Sequence, residues 1–480
     1  MQLNRTLQPA LSALTISTRS WPTLAITITT DLMALSLAGI LSVYLRLFLD
    51  GQFHPSLYWQ LAPVVCLFII AYATGGLYPG VAISPVDELR WISLSTTLIY
   101  LALGATVFLR REGEVYSRGV FVMAWVLSIV LVLLGRALMR SLFAHRRWWG
   151  YPVMVLGAGT TGSMVIRTLK MRPGIGLKPV LVLDDDPQKH GQLHGVPVVG
   201  TVSMAPTLGK VRRIPYAIVA MPSVPRKRML QILERYGGTF AHLLIIPDLF
   251  DFSSLWVSAK DMGGILGLQV RQRLLMPGPR FAKFSIDLLA TLLGGVVLLP
   301  MITVIAILIK LDSPGPIFYG QTRIGQGGEH FKAWKFRSMV KNADQALQDY
   351  LDLHPELQES WEKDQKLRRD PRVTRIGRFL RRTSLDELPQ LWNVLRGEMS
   401  LVGPRPIVDE EIERYGDKFA LYTRVIPGIT GLWQVSGRNN ITYQDRVNLD
   451  AYYVRNWSVW LDLYILMRTI WVVFTGEGAY

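Results

Sequence analysis

Four runs of apolar residues fill the first third of the chain, at roughly 22–49, 57–78, 91–109 and 119–142. Each is about long enough to cross a bilayer as a helix, which takes about 20 apolar residues. Asp31 and Arg46 interrupt the first run; charges in such a span belong near its ends or on the side facing the bundle. Between 151 and 270 the pattern changes, and short β-rich runs alternate with stretches of helical period. A fifth apolar run, Ile286 to Leu311, carries Asp287 at its start and Pro300 in its middle. A straight span is the simplest reading, but it would put everything that follows on the far side of the membrane from residues 143–280. Pro300, preceded by Gly294 and Gly295, suits instead a bent segment that enters and leaves by one face. The expectation is a re-entrant hairpin over 283–311. Beyond it, Phe331 to Met339 alternates with a period of two, with Lys335, Arg337 and Met339 on one face and Trp334 and Phe336 on the other. Residues 341–370 are charged, helical in pattern, and read as a surface excursion.

The pattern divides the chain into a four-span membrane α-helical bundle (1–150), a Rossmann-like α/β domain (151–270), and a mainly α-helical third part (281–480). A length of 480 residues allows two or three such domains. Half of the residues are hydrophobic and mean hydropathy is +0.26, as expected for a chain with membrane segments. Lys and Arg outnumber Asp and Glu by 52 to 36, which points to anionic partners such as lipid headgroups, nucleic acid or phosphorylated substrates. The single cysteine, Cys66, sits in an apolar run, so an internal disulfide is impossible. No short h-region with a small-residue cleavage site marks a cleaved signal peptide at the N-terminus. Arg136, Arg140, His145, Arg146 and Arg147 follow the fourth run with Trp148 and Trp149, a basic and aromatic cluster that predicts a cytoplasmic exit. Four spans then place the N-terminus inside as well, although Arg110, Arg111 and Arg118 weaken the charge bias.

Two segments carry candidate chemistry. Val153–Leu156 leads into Gly157-Ala158-Gly159-Thr160-Thr161-Gly162 and a helical stretch, and Pro179–Leu183 then ends in Asp184-Asp185-Asp186. This is the strand, glycine turn, helix, strand, acid order of a dinucleotide-binding unit; the fold can also be kept for structure or regulation. The second segment is Arg381-Arg382-Thr383-Ser384-Leu385-Asp386-Glu387-Leu388-Pro389-Gln390. Pro389 belongs in a first helical turn, and Ser384 with Glu387 fits a capping box, so the acids could simply serve a helix dipole. The same geometry keeps Asp386 ionised beside arginines and near free backbone N–H groups, as attack on a phosphoryl group requires. Arg405 stands between Pro404 and Pro406, a rigid placement for a guanidinium gripping phosphate. A Gly-rich loop, Pro427 to Asn439, adds Trp433 and Arg438, and Asp445, Asp450, Tyr452 and Tyr453 follow on an expected helix. No Cys or His cluster has zinc spacing, and no P-loop motif occurs.

From Lys283 onward the chain resembles the bacterial sugar transferase family, the monotopic phosphoglycosyl transferases. The resemblance rests on Lys335-Phe336-Arg337-Ser338-Met339, Ser384-Leu385-Asp386-Glu387-Leu388, Val402-Gly403-Pro404-Arg405-Pro406 and Gly428-Ile429-Thr430-Gly431, in that order. Four spans and a Rossmann-like domain in front make it similar to the large members, above all those that act with galactose on undecaprenyl phosphate; the ending from Asn456-Trp457 to Tyr480 is also similar. The resemblance implies transfer of a hexose-1-phosphate from a UDP-hexose to undecaprenyl phosphate with release of UMP, through a covalent phospho-sugar aspartate. It implies Asp386 as nucleophile, Glu387 on Mg2+, Lys335, Arg381 and Arg405 on phosphoryl oxygens, Arg337 as a helper, and Asp450 as a metal or positioning acid. Pro300 would be the hairpin break. A cytoplasm-facing site on the bacterial inner membrane, lipid contacts, a homodimer through the middle domain and no nucleic-acid partner are implied as well. Phe284 and Ile286 stand where similar proteins often carry Arg and Phe. Galactose is the first expectation for the sugar and glucose the second.

Two other classes compete. A membrane-anchored nucleotide-sugar dehydratase or epimerase would need a Tyr-x-x-x-Lys pair, and no tyrosine is followed four residues later by lysine. A non-catalytic assembly protein would use Asp386-Glu387 only as a cap, which the cationic elements around the acids argue against.

Overall fold

The computed structural model describes residues 21–49, 53–110, 116–222, 239–246, 257–261, 266–270, 273–354, 370–437 and 441–475, with positions 224, 232, 236 and 358. The expectations for the N-terminus, Arg111, Arg438, Asn439, most of the 341–370 excursion beyond His354, and the last five residues lie outside these. The chain forms two compact units, Met1–Phe250 and Asp251–Tyr480.

In the first unit the apolar runs form helices Trp21–Phe48, Pro55–Thr74 (opening as a 3-10 helix through Val64), Pro85–Leu109 and Arg118–Phe143. With Pro277–Asp312 of the second unit they make five described helices long and apolar enough to cross a membrane. Leu98, Leu101, Phe108, Leu134 and Leu138 stay exposed, as suits contact with lipid. The polar residues turn inward. Arg136 is fully buried and donates to Asp31 Oδ1 at 2.9 Å and Oδ2 at 2.6 Å, and to Glu88 Oε1 at 2.9 Å. Arg140 grips Glu88 at 2.5 and 2.7 Å, and Tyr78 donates to Asp31 at 2.7 Å. Asp31 therefore faces the bundle, while Arg46 sits near its helix end, donating to Leu49 O at 3.0 Å. The basic cluster expected to mark the exit loses Arg136 and Arg140: the helix continues to Phe143, and both guanidiniums turn onto buried carboxylates.

The same guanidiniums hold the loop before the third helix, Arg136 by Leu77 O at 3.3 Å and Arg140 by Gly80 O at 3.2 Å. That loop reaches the α/β part of the unit, where Ala82 N donates to Ile175 O at 2.8 Å. Here strands β1 (Tyr151–Leu156), β2 (Leu177–Leu183), β3 (Gly191–Leu193), β4 (Val196–Val198), β5 (Tyr216–Val219) and β6 (His242–Ile245) form one sheet in the order β3-β4-β2-β1-β5-β6. All neighbours are parallel except β3–β4. β1 and the core of β2 are buried on both faces, which is why they read as unbroken apolar runs. The glycine turn closes tightly: a Cβ on Gly162 would fall 2.0 Å from Gly157 O. Asp184, just past β2, accepts from Ala158 N at 2.7 Å and Asp186 N at 2.9 Å. Burial works against its charge, but those amides and Lys189 hold it below the usual carboxylate range. Its carboxylate thus serves the glycine turn itself.

The second unit opens with an antiparallel pair, β7 (Val257–Asp261) and β8 (Leu266–Val270), which is separate from the six-stranded sheet. Helix Pro277–Asp312 follows, with Pro300 inside it. Its first turns are pinned by polar bonds: Lys283 Nζ to Asp462 Oδ2 at 2.8 Å, and Ser400 Oγ to Asp287 Oδ2 at 2.6 Å. Its last turns pack Ile305 and Ile309 on Phe336 and Leu380, and Asp312 accepts from Ile376 N at 3.1 Å. Between these anchors Leu293, Val296, Val297 and Leu299 are exposed. Strands β9 (Phe318–Ile324) and β10 (His330–Phe336) pair antiparallel, and β11 (Ser400–Val402) and β12 (Gly428–Thr430) pair parallel among the helices.

Replacing Arg136 by Met leaves Asp31 as an unpaired buried charge, which should destabilise the first unit by about 3–5 kcal/mol. Thermal unfolding in detergent should show that loss, and Arg136→Met with Asp31→Asn should recover a large part of it.

Candidate active site

Helix Arg375–Thr383 starts at Thr374, whose Oγ1 accepts from Gly377 N at 2.9 Å. Gly377 is needed there because a Cβ would lie 2.0 Å from Ser338 O. The helix stops at Ser384, which adopts the left-handed conformation at φ +56°. A single 3-10 turn, Leu385–Glu387, then leads through Pro389 into helix Gln390–Leu395. The expected capping box does not form. A left-handed Ser384 ends the preceding helix, its side chain caps nothing, and the Glu387 carboxylate accepts from Lys335 Nζ at 2.6 Å. Leu385 and Leu388 pack toward Ile305, Ile309, Phe336 and Leu380, so the apolar residues of the turn anchor it while Asp386 and Glu387 stay among the cations.

Asn393 fastens this element to β10, accepting from Trp334 N at 3.1 Å and donating to Lys332 O at 2.8 Å. Lys335 is thereby held against Glu387. Burial, then the neighbouring Glu387 charge, raises the Asp386 carboxyl to about 6, while Lys335 and Arg381 oppose the rise. Arg381 Nε is oriented by Ser338 Oγ at 2.9 Å.

Arg405 comes from the other wall. Gly403 N donates to Thr430 O at 2.9 Å and Gly428 N to Pro404 O at 2.8 Å, so the two glycine motifs meet backbone to backbone. No side chain fits between them: a Cβ on Gly428 would sit 2.0 Å from Gly403 N, and one on Gly431 2.4 Å from Gly403 O. Arg405 lies over the Trp433 ring at 5.6 Å, and Arg446 lies over the same ring at 4.7 Å. In the β9–β10 register Arg323 pairs with Phe331 and Gln321 with Ala333, which puts Arg323 on the same face as Lys335. Arg323 donates to Pro406 O at 3.3 Å and Gln321 Oε1 at 2.8 Å; burial first, then the Arg405 charge, lowers its pKa. One pocket results, lined by Arg323, Lys335, Glu387, Gln390, Arg405 and Gln434 among others.

Lys335, Arg381, Asp386, Glu387 and Arg405 are thus brought together around the 385–387 turn and the facing glycine motifs. Arg337 is not: it lies past the end of β10 and donates to Ser313 O at 2.6 Å and Pro314 O at 3.1 Å, tying down the exit from the long helix. Asp450 is buried behind Arg405, accepting from Tyr415 at 2.8 Å, and burial pushes its carboxyl up to about 7 against the pull of Tyr415, Arg446 and Arg405. Such a site suits a supporting acid better than a metal ligand, and among the described residues no group of three His, Cys, Asp or Glu could hold a metal ion. Pro300 lies within the long helix, away from the pocket lining. The sequence reading missed Arg323, Gln390 and Gln434. Arg323 could have been found from Gly320–Gly325, which reads as a hairpin partner for β10; the two glutamines carry no comparable signal.

Gly428→Ala should therefore fail through backbone collision, costing on the order of 1–3 kcal/mol or more. Thermal unfolding of the purified protein should show it, with Gly278→Ala unchanged because nothing lies near a Cβ there.

Residues 278–476 match the family described as Bacterial sugar transferase, and residues 73–247 that described as CoA-binding domain. The chain is 37% identical over 392 residues to the UDP-galactose-lipid carrier transferase of Erwinia amylovora, covering 80% of this chain and 81% of that one. It is 35% identical over 389 residues to the undecaprenyl-phosphate galactose phosphotransferase of Salmonella typhimurium, with 80% and 81% covered. Against the UDP-glucose:undecaprenyl-phosphate glucose-1-phosphate transferase of Escherichia coli the identity is 32% over 372 residues, with 74% and 76% covered. With its motifs assembled in one pocket and relatives matching it over most of their length, the chain belongs to the bacterial sugar transferase family.

Proposed function

We propose that this protein transfers hexose-1-phosphate, galactose-1-phosphate in the first instance, from a UDP-hexose to undecaprenyl phosphate, releasing UMP and starting a surface polysaccharide. The observation that carries this reading is the pocket itself: the Lys335–Glu387 pair at 2.6 Å, with Asp386 alongside and Arg323, Arg381 and Arg405 close by. Cations held rigidly around a carboxylate nucleophile stabilise charge that builds on phosphoryl oxygens. Glucose-1-phosphate is the alternative, since the relative named for it covers 74% of the chain.

The Asp386 carboxylate attacks the β-phosphorus of the donor. A bond forms between its oxygen and phosphorus, the bond from that phosphorus to the bridging oxygen breaks, and UMP leaves with the electron pair. An oxygen of the lipid phosphate then attacks the same phosphorus, the bond to Asp386 breaks, and the carboxylate is restored with the hexose on a lipid diphosphate. Lipid phosphate is already anionic near neutral pH, so no strong base is required. Lys335, Arg381 and Arg405 hold the phosphoryl oxygens, with Arg323 behind Arg405. The adjacent hard-oxygen carboxylates fit Mg2+, which takes one or two of them plus substrate phosphates. Glu387 would hold it, and it would neutralise the diphosphate and the departing UMP.

The hairpin reading is supported by the long helix docking both ends on one unit and leaving its middle apolar and exposed. A re-entrant helix keeps the pocket on the side where UDP-sugars are made, the cytoplasmic face of the inner membrane.

Asp386→Asn should lower UMP release by on the order of a thousandfold or more, because an amide is no nucleophile. A mere helix cap would tolerate Asn. Nucleotide release from UDP-galactose and UDP-glucose with undecaprenyl phosphate decides it; UDP in place of UMP would contradict the phospho-aspartate route. The rate should also fall as pH drops through about 6, where Asp386 takes up its proton. Lys335→Gln should move that limb to higher pH, since the Lys335 charge opposes protonation.

A further inference from the structure

The pocket contains two neutral amides that the reaction above does not use. Gln390 opens the helix after the acidic turn, is 3% exposed and lines the pocket. Gln434 lines the facing wall from the short helix Leu432–Val435. Its Oε1 is buried with no partner among the described residues, and its Nε2 makes a long contact to Ile429 O at 3.4 Å. A buried amide without a partner is costly, and such groups are kept where something else completes them. Gln434 is confined, since a Cβ on Gly431 would come within 3.4 Å of its Oε1.

The chemistry of the lining is divided. Arg323, Lys335 and Arg405 answer charged phosphoryl oxygens, with Glu387 the only acid lining the pocket among the described residues. An amide offers one acceptor and two donors without charge, which complements a hydroxyl, itself a donor and an acceptor. We infer that Gln390 and Gln434 bind hydroxyl groups of the nucleotide-sugar donor, Gln434 through its unpaired Oε1. Hydroxyls are carried by both the hexose and the ribose of such a donor. This inference rests on the phosphosugar-transfer reading.

The test uses the full chain in nanodiscs with undecaprenyl phosphate and Mg2+. For the wild type, Gln390→Ala, Gln434→Ala and the near-isosteric Gln434→Met, kcat/KM is measured with UDP-galactose and UDP-glucose, and Kd is measured for UDP. A lost hydrogen bond in a closed polar site should reduce kcat/KM by roughly ten- to hundredfold. If the hexose is the source, the galactose-to-glucose ratio shifts and UDP affinity stays put. With the ribose as source, UDP affinity and both donors fall together and the ratio is constant. Retention of kcat/KM and UDP affinity within twofold in every variant of unchanged melting temperature overturns the inference; Gln434→Met serves if the alanine variants unfold. A wild type that binds UDP but releases no UMP from either donor would count against the parent reading, while the UDP titrations still test ribose recognition.

Discussion

Buried charge has to be answered by opposite charge, and the two units of this protein meet that constraint in opposite ways. In the first unit two guanidiniums, Arg136 and Arg140, meet two carboxylates, Asp31 and Glu88, at 2.5–2.9 Å. The set is neutral and closed, and it ties three apolar helices to the loop that leads into the α/β sheet. In the second unit the described pocket lining carries three cations, Arg323, Lys335 and Arg405, and one acid, Glu387, which is matched to Lys335, while Glu411 stands 3.9 Å from Arg323. That surplus is a demand for an anion, and it is what turns a folded domain into a candidate phosphoryl-binding site.

The pocket is precise because its walls allow little else. On one side Gly377 lets its helix close on Ser338, a left-handed Ser384 turns the chain into the acidic turn, and Leu385 and Leu388 anchor that turn toward the long helix. On the other, Gly403, Gly428 and Gly431 bring two backbones together with no room for a side chain. Arg405, fixed between prolines and lying over Trp433, leaves that junction in one direction. Raising Asp386 toward 6 is the cost of this burial, yet it leaves the carboxylate ionised for the greater part at neutral pH.

The α/β part of the first unit applies the same economy differently. Asp184 stands where an acid of a dinucleotide-binding unit would face a ribose, and it is spent on Ala158 N and Asp186 N. A glycine motif in the right order thus describes a fold, and the hydrogen bonds around it describe how that fold is closed.

Hydrophobic period alone determined the four apolar helices, the fifth with its proline, the alternating α/β segment and the β10 strand, because a membrane span and a two-sided strand each impose a spacing that no neighbour can alter. The order of the short motifs was enough to name the family. Tertiary structure decided the rest, since it depends on which face meets which. Arg337 looked equivalent to Lys335 at strand period, but β10 ends one residue earlier and its guanidinium goes to Ser313 and Pro314. Ser384 and Glu387 had capping-box spacing, yet Ser384 takes the left-handed conformation that ends the preceding helix and the Glu387 carboxylate goes to Lys335. Arg323, Gln390 and Gln434 lie 44 residues apart at the closest and become neighbours only when β9, the acidic turn and the second glycine motif converge on one pocket.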